Sequence, residues 1–272
     1  MIRKKKYLVF GGAGSIGSEL VRQLCIKNKV FIFDIDETRT YDLYEELRYK
    51  KYDVDYRIGD IRNKETIKEV FKWNPDIVIN AAAYKHVSPM ERYPREAIET
   101  NELGTLNILD ETKCKYIQIS SDKAVNAESV MGISKRMAEK ITLNAGGIVV
   151  RFGNVLASRG SVLGLWQRQL DHKEPLTVTH ERMERYMMSI EQACGLIIKA
   201  IEIAKPKSIM IMDMGERVNI LKLAVDILKK SNSNAGIKMI GIRPGEVLIE
   251  ILMTPEEEKR AIKVNNFWII SK

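Results

Sequence analysis

The sequence predicts an α/β protein built on a doubly wound parallel sheet, with a smaller substrate lobe towards its carboxyl-terminal end. Three observations carry that expectation. Short apolar runs alternate with amphipathic stretches through the first half of the chain, the rhythm of parallel strands joined by helices. Right-handed crossovers then put helices on both faces of the sheet. A glycine-rich turn separates the first apolar run from the first helical pattern, where such sheets hold a phosphate at a helix amino terminus. From about Asn154 the rhythm gives way to longer loops. A dinucleotide-binding Rossmann-type domain over 1–153 and a substrate-binding lobe over 154–272 are therefore expected.

Element by element, "YLVFGG", "KVFIFD", "VDYRIGD", "DIVINAAA", "KYIQISS" and "GGIVVRF" read as successive strands. Helical patterns lie between them, and two more are expected near 190–204 and 219–230. Between those two, "SIMIMDMG" is β-like, and its strand near 208–213 is a candidate to return to the main sheet. Pro175, Pro206, Pro244 and Pro255 mark turns, and Tyr49 with Tyr52 suits helix packing or surface.

Composition narrows the class of function. The 272 residues carry a formal charge of +8, half of which comes from the run Arg3, Lys4, Lys5 and Lys6. Such a run reads as a solvated terminus, and no interleaved aromatics or nucleic-acid motif accompany it. Cys25, Cys114 and Cys194 stand far apart without metal spacing, which fits a reducing compartment and no metal site. The first apolar stretch is too short for a signal peptide or a membrane span. A cytoplasmic protein with no membrane or nucleic-acid partner is expected.

In "FGGAGSIGSEL", Gly11, Gly14 and Gly17 have GxxGxxG spacing, and Ser15 and Ile16 start the helix that follows. Glycines suit a tight turn that brings backbone close to a pyrophosphate, while the helix start offers free N–H groups and a positive dipole end. Asp34 ends the second strand roughly 20 residues on, where an acidic side chain takes ribose hydroxyls. Asp36 and Glu37 beside it would repel a 2′-phosphate, which favours NAD; Arg39 leaves NADP open. Asp60 and Ile61 end the third strand, where adenine would lie, although Asp60 equally suits a helix cap. Ala81, Ala82 and Ala83 follow Asn80 and leave room for ribose and pyrophosphate.

Ser121, Asp122 and Lys123 follow the fifth strand, and Lys135 comes four positions after Met131. The chain resembles the extended short-chain dehydrogenase/reductase superfamily. Within it, the chain resembles the polysaccharide-biosynthesis 4,6-dehydratases of UDP-N-acetylglucosamine. The resemblance rests on the GGAGSIG turn, "NAAAYKHVSPME", "SSDKAVN…MGISKR", "VRFGNVLASRGSVLGLW", "LTVTHERMERY" and "IRPGE".

It implies that Lys135 binds the nicotinamide ribose, and that Asp122 and Lys123 are an acid–base pair. Ser121 stands where the family usually has threonine. Met131 stands where most of the superfamily has tyrosine, as in a subset of these dehydratases. "GEVLIEIL" departs from the usual GEKLYEEL at Val247 and Ile249, a change that bears on nucleotide-sugar contact. The resemblance also implies a tightly bound cofactor regenerated each turnover, a UDP-sugar substrate and a homo-oligomer. Lys85, His86, Asn154 and Val155 are candidates to line the sugar pocket, and Arg185, Arg243 and Glu246 to hold the diphosphate and uridine ribose.

Chemistry justifies these residue types. Dehydration needs a base for the 4-hydroxyl, a base at carbon 5 and an acid for the leaving 6-hydroxyl. A free lysine, with a pKa of about 10.4, is a poor base near neutrality, so a lowered pKa is expected for Lys123 from burial and nearby positive charge. Adjacent strand residues face opposite ways, so the strand must end or bulge by Asp122. Two rivals are a UDP-hexose 4-epimerase of the same superfamily and a catalytically inactive NAD- or nucleotide-sugar-binding protein.

Overall fold

The computed structural model describes residues 4–271. Its first half alternates β1 (Lys6–Phe10), α1 (Ser15–Cys25), β2 (Lys29–Asp34), α2 (Glu37–Tyr49), β3 (Val54–Ile58), α3 (Lys64–Phe71) and β4 (Ile77–Asn80). Helices α4 (Val87–Arg92) and α5 (Pro94–Ala97) run through a π-helical stretch, Ile98–Leu103, into α6 (Gly104–Glu111). Then come β5 (Lys115–Ile119), a 3-10 turn (Asp122–Ala124), α7 (Val130–Asn144) and β6 (Ile148–Arg151). Beyond them lie β7 (Asn154–Val155), α8 (Val162–Asp171), β8 (Leu176–Val178), β9 (Glu184–Arg185), β10 (Met187–Met188) and α9 (Ile190–Ile203). The chain continues through β11 (Ser208–Met212), β12 (Val218–Asn219), α10 (Ile220–Lys230), β13 (Ile237–Met239), α11 (Pro255–Glu258), β14 (Ile262–Val264) and β15 (Phe267–Ser271).

Nine strands form one sheet in the order β14-β15-β11-β6-β5-β4-β1-β2-β3. All pairings from β11 to β3 are parallel, and β15 and β14 add an antiparallel edge. This is the Rossmann-type layout expected from the alternation. The strand near 208–213 does return to the main sheet, as β11 beside β6. Three strands from beyond residue 153 therefore extend the sheet of the first domain. The small lobe has its own core of Trp166, Leu176, Val178, Met183, Ile220 and Ala224, and Trp166 donates its indole N–H to the Thr177 carbonyl at 2.9 Å.

The central strands are buried on both faces, which is why they read as unbroken apolar runs. On one face, Leu20, Val21 and Leu24 of α1 and Ala193, Ile197 and Ala200 of α9 pack over the sheet. On the other, Ile67 and Val70 of α3 and Ile108 of α6 cover Leu8, Phe10 and Val78. Each such side chain contributes roughly 1.5–3 kcal/mol on burial, so the sheet is the rigid frame and the strand ends can be given to function. The edge strand β14 is exposed, and Lys263 on it pairs with Asp213 at 2.6 Å, a charge that discourages edge-to-edge association.

Two local expectations change. The basic terminal run is solvated only in part: Lys6 opens β1, places its ammonium 4.4 Å over the Trp73 ring and donates to the Trp73 carbonyl. Arg3 lies outside the described residues. Pro255 begins α11, inside a capping box made by Thr254 and Glu257, because the first helical turn does not need the N–H that proline lacks.

Candidate active site

Strand β5 ends at Ile119, and the chain turns into the 3-10 segment that carries Asp122 and Lys123. The strand has thus ended before the pair, as the alternation of side chains demanded. The turn is held from two sides. The N–H groups of Ser120 and Asp122 donate to the carbonyls of Val150 and Phe152. A Cβ on Gly132 would come within 2.5 Å of the Lys123 carbonyl oxygen, so the first turn of α7 rests directly on this backbone.

Asp122 is buried. Its Oδ1 accepts from Ser121 Oγ at 2.9 Å and from Lys123 Nζ at 3.0 Å. Its Oδ2 is buried with no hydrogen-bond partner among the described residues. Such an orphan in a native interior costs free energy and calls for an explanation. Lys123 Nζ also donates to Asn154 Oδ1 at 3.2 Å and lies 3.4 Å from Glu250 Oε1. Burial alone pulls the Lys123 ammonium down, but Asp122 and Glu250 outweigh it and hold the group above the ordinary lysine value. The lowered pKa expected for Lys123 is therefore corrected: with two carboxylates beside it, the lysine keeps its proton.

Helix α7 carries both Lys135, which reaches the end of β5, and Met131, which packs towards α4 and α5. Lys135 is buried and donates to the Ile119 carbonyl at 2.6 Å. Burial lowers its pKa to about 8, against an opposing pull from Glu139. Met131 is buried with Met90, Ala97, Val87 and Val130. It contributes apolar shape and no proton.

The glycine turn forms one end of a groove of about 260 Å³. Gly11 takes φ +70° and sits so close to Ala81 and Ala82 that any side chain there would collide with their backbone. Helix α1 starts at Ser15, Ile16 and Gly17 without a side-chain cap on Gly14, which leaves its amino terminus free for an anion. Asp34, Ile61, Ala81, Ala82, Ala83 and Arg39 also line the groove. Asp34 accepts from the N–H of Ala13 at 2.8 Å and of Asp36 at 3.0 Å, which orients the carboxylate with lone pairs to spare. Asp36 caps α2 and pairs with Arg39 at 3.0 Å. Asp60 lines the groove and pairs with Arg62 at 2.6 Å, while the cap of α3 is Asn63. That assigns the capping role to Asn63 instead of Asp60. A nicotinamide dinucleotide fits this set of donors, acceptor and open backbone.

A loop whose Arg159 sequence reasoning did not single out closes the groove. The Arg159 N–H donates to Ser15 Oγ at 3.0 Å and its guanidinium donates to the Ala13 carbonyl. Two residues earlier, Ala157 takes φ +55°. Lys85 donates to Ser158 Oγ at 3.2 Å, and the His86 ring lies against Gly160. Burial lowers the pKa of Lys85, helped by Arg159, and of His86, helped by Lys85. Positive charge has gathered here beside an open helix start, an arrangement that an anionic group would relieve. The phrase "SRGSV" carried the signal only as an arginine amid turn residues.

The remaining candidates separate. Asn154 touches Lys123, and Val155 pairs in β7 with Met188 of β10. Arg185 is buried and donates to the carbonyls of Glu184, Leu248 and Val247, so three of its N–H bonds brace backbone where a diphosphate contact was expected. Arg243 and Glu246 pair with each other at 3.7 Å. Among the described residues no helix is long and apolar enough to cross a membrane, and none of their His, Cys, Asp and Glu groups is arranged to hold a metal ion.

The sheet order, the glycine turn and the Ser-Asp-Lys turn together define an extended short-chain dehydrogenase/reductase. A family model described as polysaccharide biosynthesis protein matches residues 7–272, and the chain belongs to that family. It is 39% identical over 275 residues to the probable polysaccharide biosynthesis protein EpsC of Bacillus subtilis, covering 94% of this chain and 46% of that protein. The chain thus spans about half the length of that relative. It is 33% identical over 291 residues to a protein of Rickettsia bellii named UDP-glucose 4-epimerase, covering 99% of this chain and 84% of the other. Among solved structures, Pen from Bacillus thuringiensis matches with a TM-score of 0.94 at 34% identity, over 100% of this chain and 90% of that one.

Proposed function

We propose that this protein catalyses the NAD-dependent 4,6-dehydration of a UDP-N-acetylhexosamine, with UDP-N-acetylglucosamine as substrate, for surface glycan or polysaccharide synthesis. The observation that carries the reading is the buried, unpartnered Asp122 Oδ2 beside Lys123, with methionine in place of the usual tyrosine. A group that accepts the 4-hydroxyl proton must offer a free lone pair in a site closed to water. Asp122 Oδ2 keeps a lone pair free, the half-buried Ser121 hydroxyl that donates to Oδ1 relays the 4-hydroxyl proton to the carboxylate, and Lys123 keeps the carboxylate from turning away.

The groove residues Gly11, Gly14, Ser15, Ile16, Gly17, Asp34 and Ala81–Ala83 would hold the dinucleotide. Bound there, it supplies a hydride acceptor that gives the hydride back, so each turnover leaves it unchanged. Lys135 would bind its ribose and, as an ammonium, favour loss of hydride from carbon 4. Asp122 takes the 4-hydroxyl proton, holds it, and donates it to the 6-hydroxyl as water leaves. Lys123 removes the carbon-5 proton that the new carbonyl has acidified. Asn154 orients the Lys123 ammonium, and Lys85 with Arg159 supplies positive charge for a diphosphate.

The Rickettsia relative favours a second reading, a UDP-hexose 4-epimerase. Incubating the protein with NAD and UDP-N-acetylglucosamine and following products by mass and NMR separates the two. The dehydratase gives a product lighter by one water with a 4-keto-6-deoxy sugar. UDP-N-acetylgalactosamine without mass loss would establish the epimerase.

A further inference from the structure

Glu250 has no part in the chemistry above, yet the fold takes unusual care of it. It is 8% exposed and lies 3.4 Å from the Lys123 ammonium. Lys123 thus stands between two carboxylates, Asp122 and Glu250. The short stretch that carries Glu250 is pinned on both sides by buried arginines. Arg185 donates to the carbonyls of Val247 and Leu248. Arg151 donates to the Leu252 carbonyl at 3.0 Å. The N–H of Glu184 also donates to the Leu248 carbonyl. A side chain whose backbone is braced this way is presented in one place, as a reacting site requires.

A lysine flanked by two carboxylates holds its proton, but a base at carbon 5 must be a neutral amine. The proton has to go to a group within reach that will give it back. Asp122 is already committed to the 4-hydroxyl proton. Burial pushes the Glu250 carboxyl up, Lys123 and Arg185 restrain the rise and Asp122 adds to it, and the net direction is upward. Such a carboxylate takes up a proton more readily than an exposed glutamate does.

We propose that Glu250 is the proton acceptor for Lys123, acting through that lysine and not on the sugar itself. The proposal rests on the dehydratase reading. The ammonium of Lys123 gives one proton to the Glu250 carboxylate, leaving a neutral amine and a carboxylic acid. The amine lone pair then bonds the carbon-5 proton. The C–H electron pair becomes the C5–C6 double bond, the C6–O bond breaks, and the leaving oxygen collects the proton held by Asp122. Once the hydride taken from carbon 4 has been returned to carbon 6, carbon 5 is reprotonated from Lys123 and Glu250 returns its proton to the amine. Substrate becomes product plus water, and all three side chains end as they began.

Glu250→Gln preserves shape but cannot take a proton. Turnover at pH 7 should fall on the order of 10²-fold, the scale of a lost acid–base step. Its logarithm should then climb with unit slope from pH 7 to about 8, below the Lys135 titration, because solvent must now deprotonate Lys123, whereas the wild type stays level over that range. Glu250→Asp should restore the level profile in part. A variant profile that merely runs parallel below the wild type, or an unchanged rate, overturns the proposal. Nitrogen-15 NMR of the Lys123 Nζ in the whole protein without substrate gives a second reading: Glu250→Gln should move its titration to lower pH, and no movement removes Glu250 from the site. If the wild type releases no water from UDP-N-acetylglucosamine while that shift is present, the substrate reading fails and the Lys123–Glu250 coupling stands.

Discussion

In the proposed mechanism Asp122 moves the proton that a tyrosine moves elsewhere in the superfamily, and Met131, packed with Met90 and Ala97, contributes apolar volume only. Met131→Leu nearly conserves volume, and such swaps usually cost under about 1.5 kcal/mol, so activity should largely survive. Asp122→Asn keeps the outline but cannot accept a proton, and no NADH absorbance should appear even in a single turnover. NADH that forms and then stalls before water loss would leave Asp122 as the late acid only. Lys123→Ala should lose about 10²–10⁴ in rate while still binding nucleotide sugar, and deuterium from heavy water should no longer enter carbon 5. Lys135 sets a pH limit of its own. Its pKa, lowered to about 8, means that the useful charge disappears as pH rises through that value, so the rate without saturating ligand should decline above pH 8. Folding responds in the opposite sense. Between about 8 and the unfolded lysine value near 10.4, the unfolded chain binds the extra proton, so stability should rise across that window, by a few kcal/mol at most. A denaturant midpoint that falls over the same pH range would contradict the assignment.

At the scale of elements, the loop between β7 and α8 matters as much as the glycine turn. It directly follows β7, which carries Asn154, and holds Ser158 against Lys85 and Arg159 over Ala13 and Ser15. Arg159→Ala should weaken cofactor binding roughly tenfold, the worth of one charge-assisted contact, with little change in melting temperature. Equal affinity for NAD in calorimetry would make the arginine a mere latch on the turn. The glycine spacing, Asp34 and the Ser-Asp-Lys run were readable in sequence because each is local: a turn, a strand end, three consecutive residues. Arg159 and Glu250 were not, because they reach the site from 144 residues and 127 residues away along the chain, counted from Ser15 and Lys123. Arg185 was visible as a charge, but only its three carbonyl partners show that it braces backbone.

The whole molecule is tied together at Arg151. Its guanidinium makes paired contacts to Glu139 on α7, at 2.7 and 3.0 Å, and to Glu257 on α11, at 2.9 and 3.2 Å. Ser120 Oγ adds a fourth member by donating to Glu139. Arg151→Met should cost about 3–5 kcal/mol, because it leaves buried carboxylates without their partner, read as a drop in denaturant midpoint. The doubly wound sheet was legible from the apolar rhythm, while the division near residue 153 describes the sequence pattern better than the sheet, since β11, β14 and β15 cross back into it. A pairing between distant strands leaves no periodic trace. The loop from Asn154 to Arg159 has a further consequence for the order in which ligands are held. One end touches Lys123 of the proposed sugar site and the other lies on the dinucleotide groove, so a ligand that fixes either end should prepare the other. Linkage makes that help mutual: whatever factor the dinucleotide adds to the affinity for UDP-sugar, the UDP-sugar must return in full. The cofactor should therefore leave most slowly from the ternary complex, and excess UDP-sugar should lengthen its residence time in a stopped-flow chase.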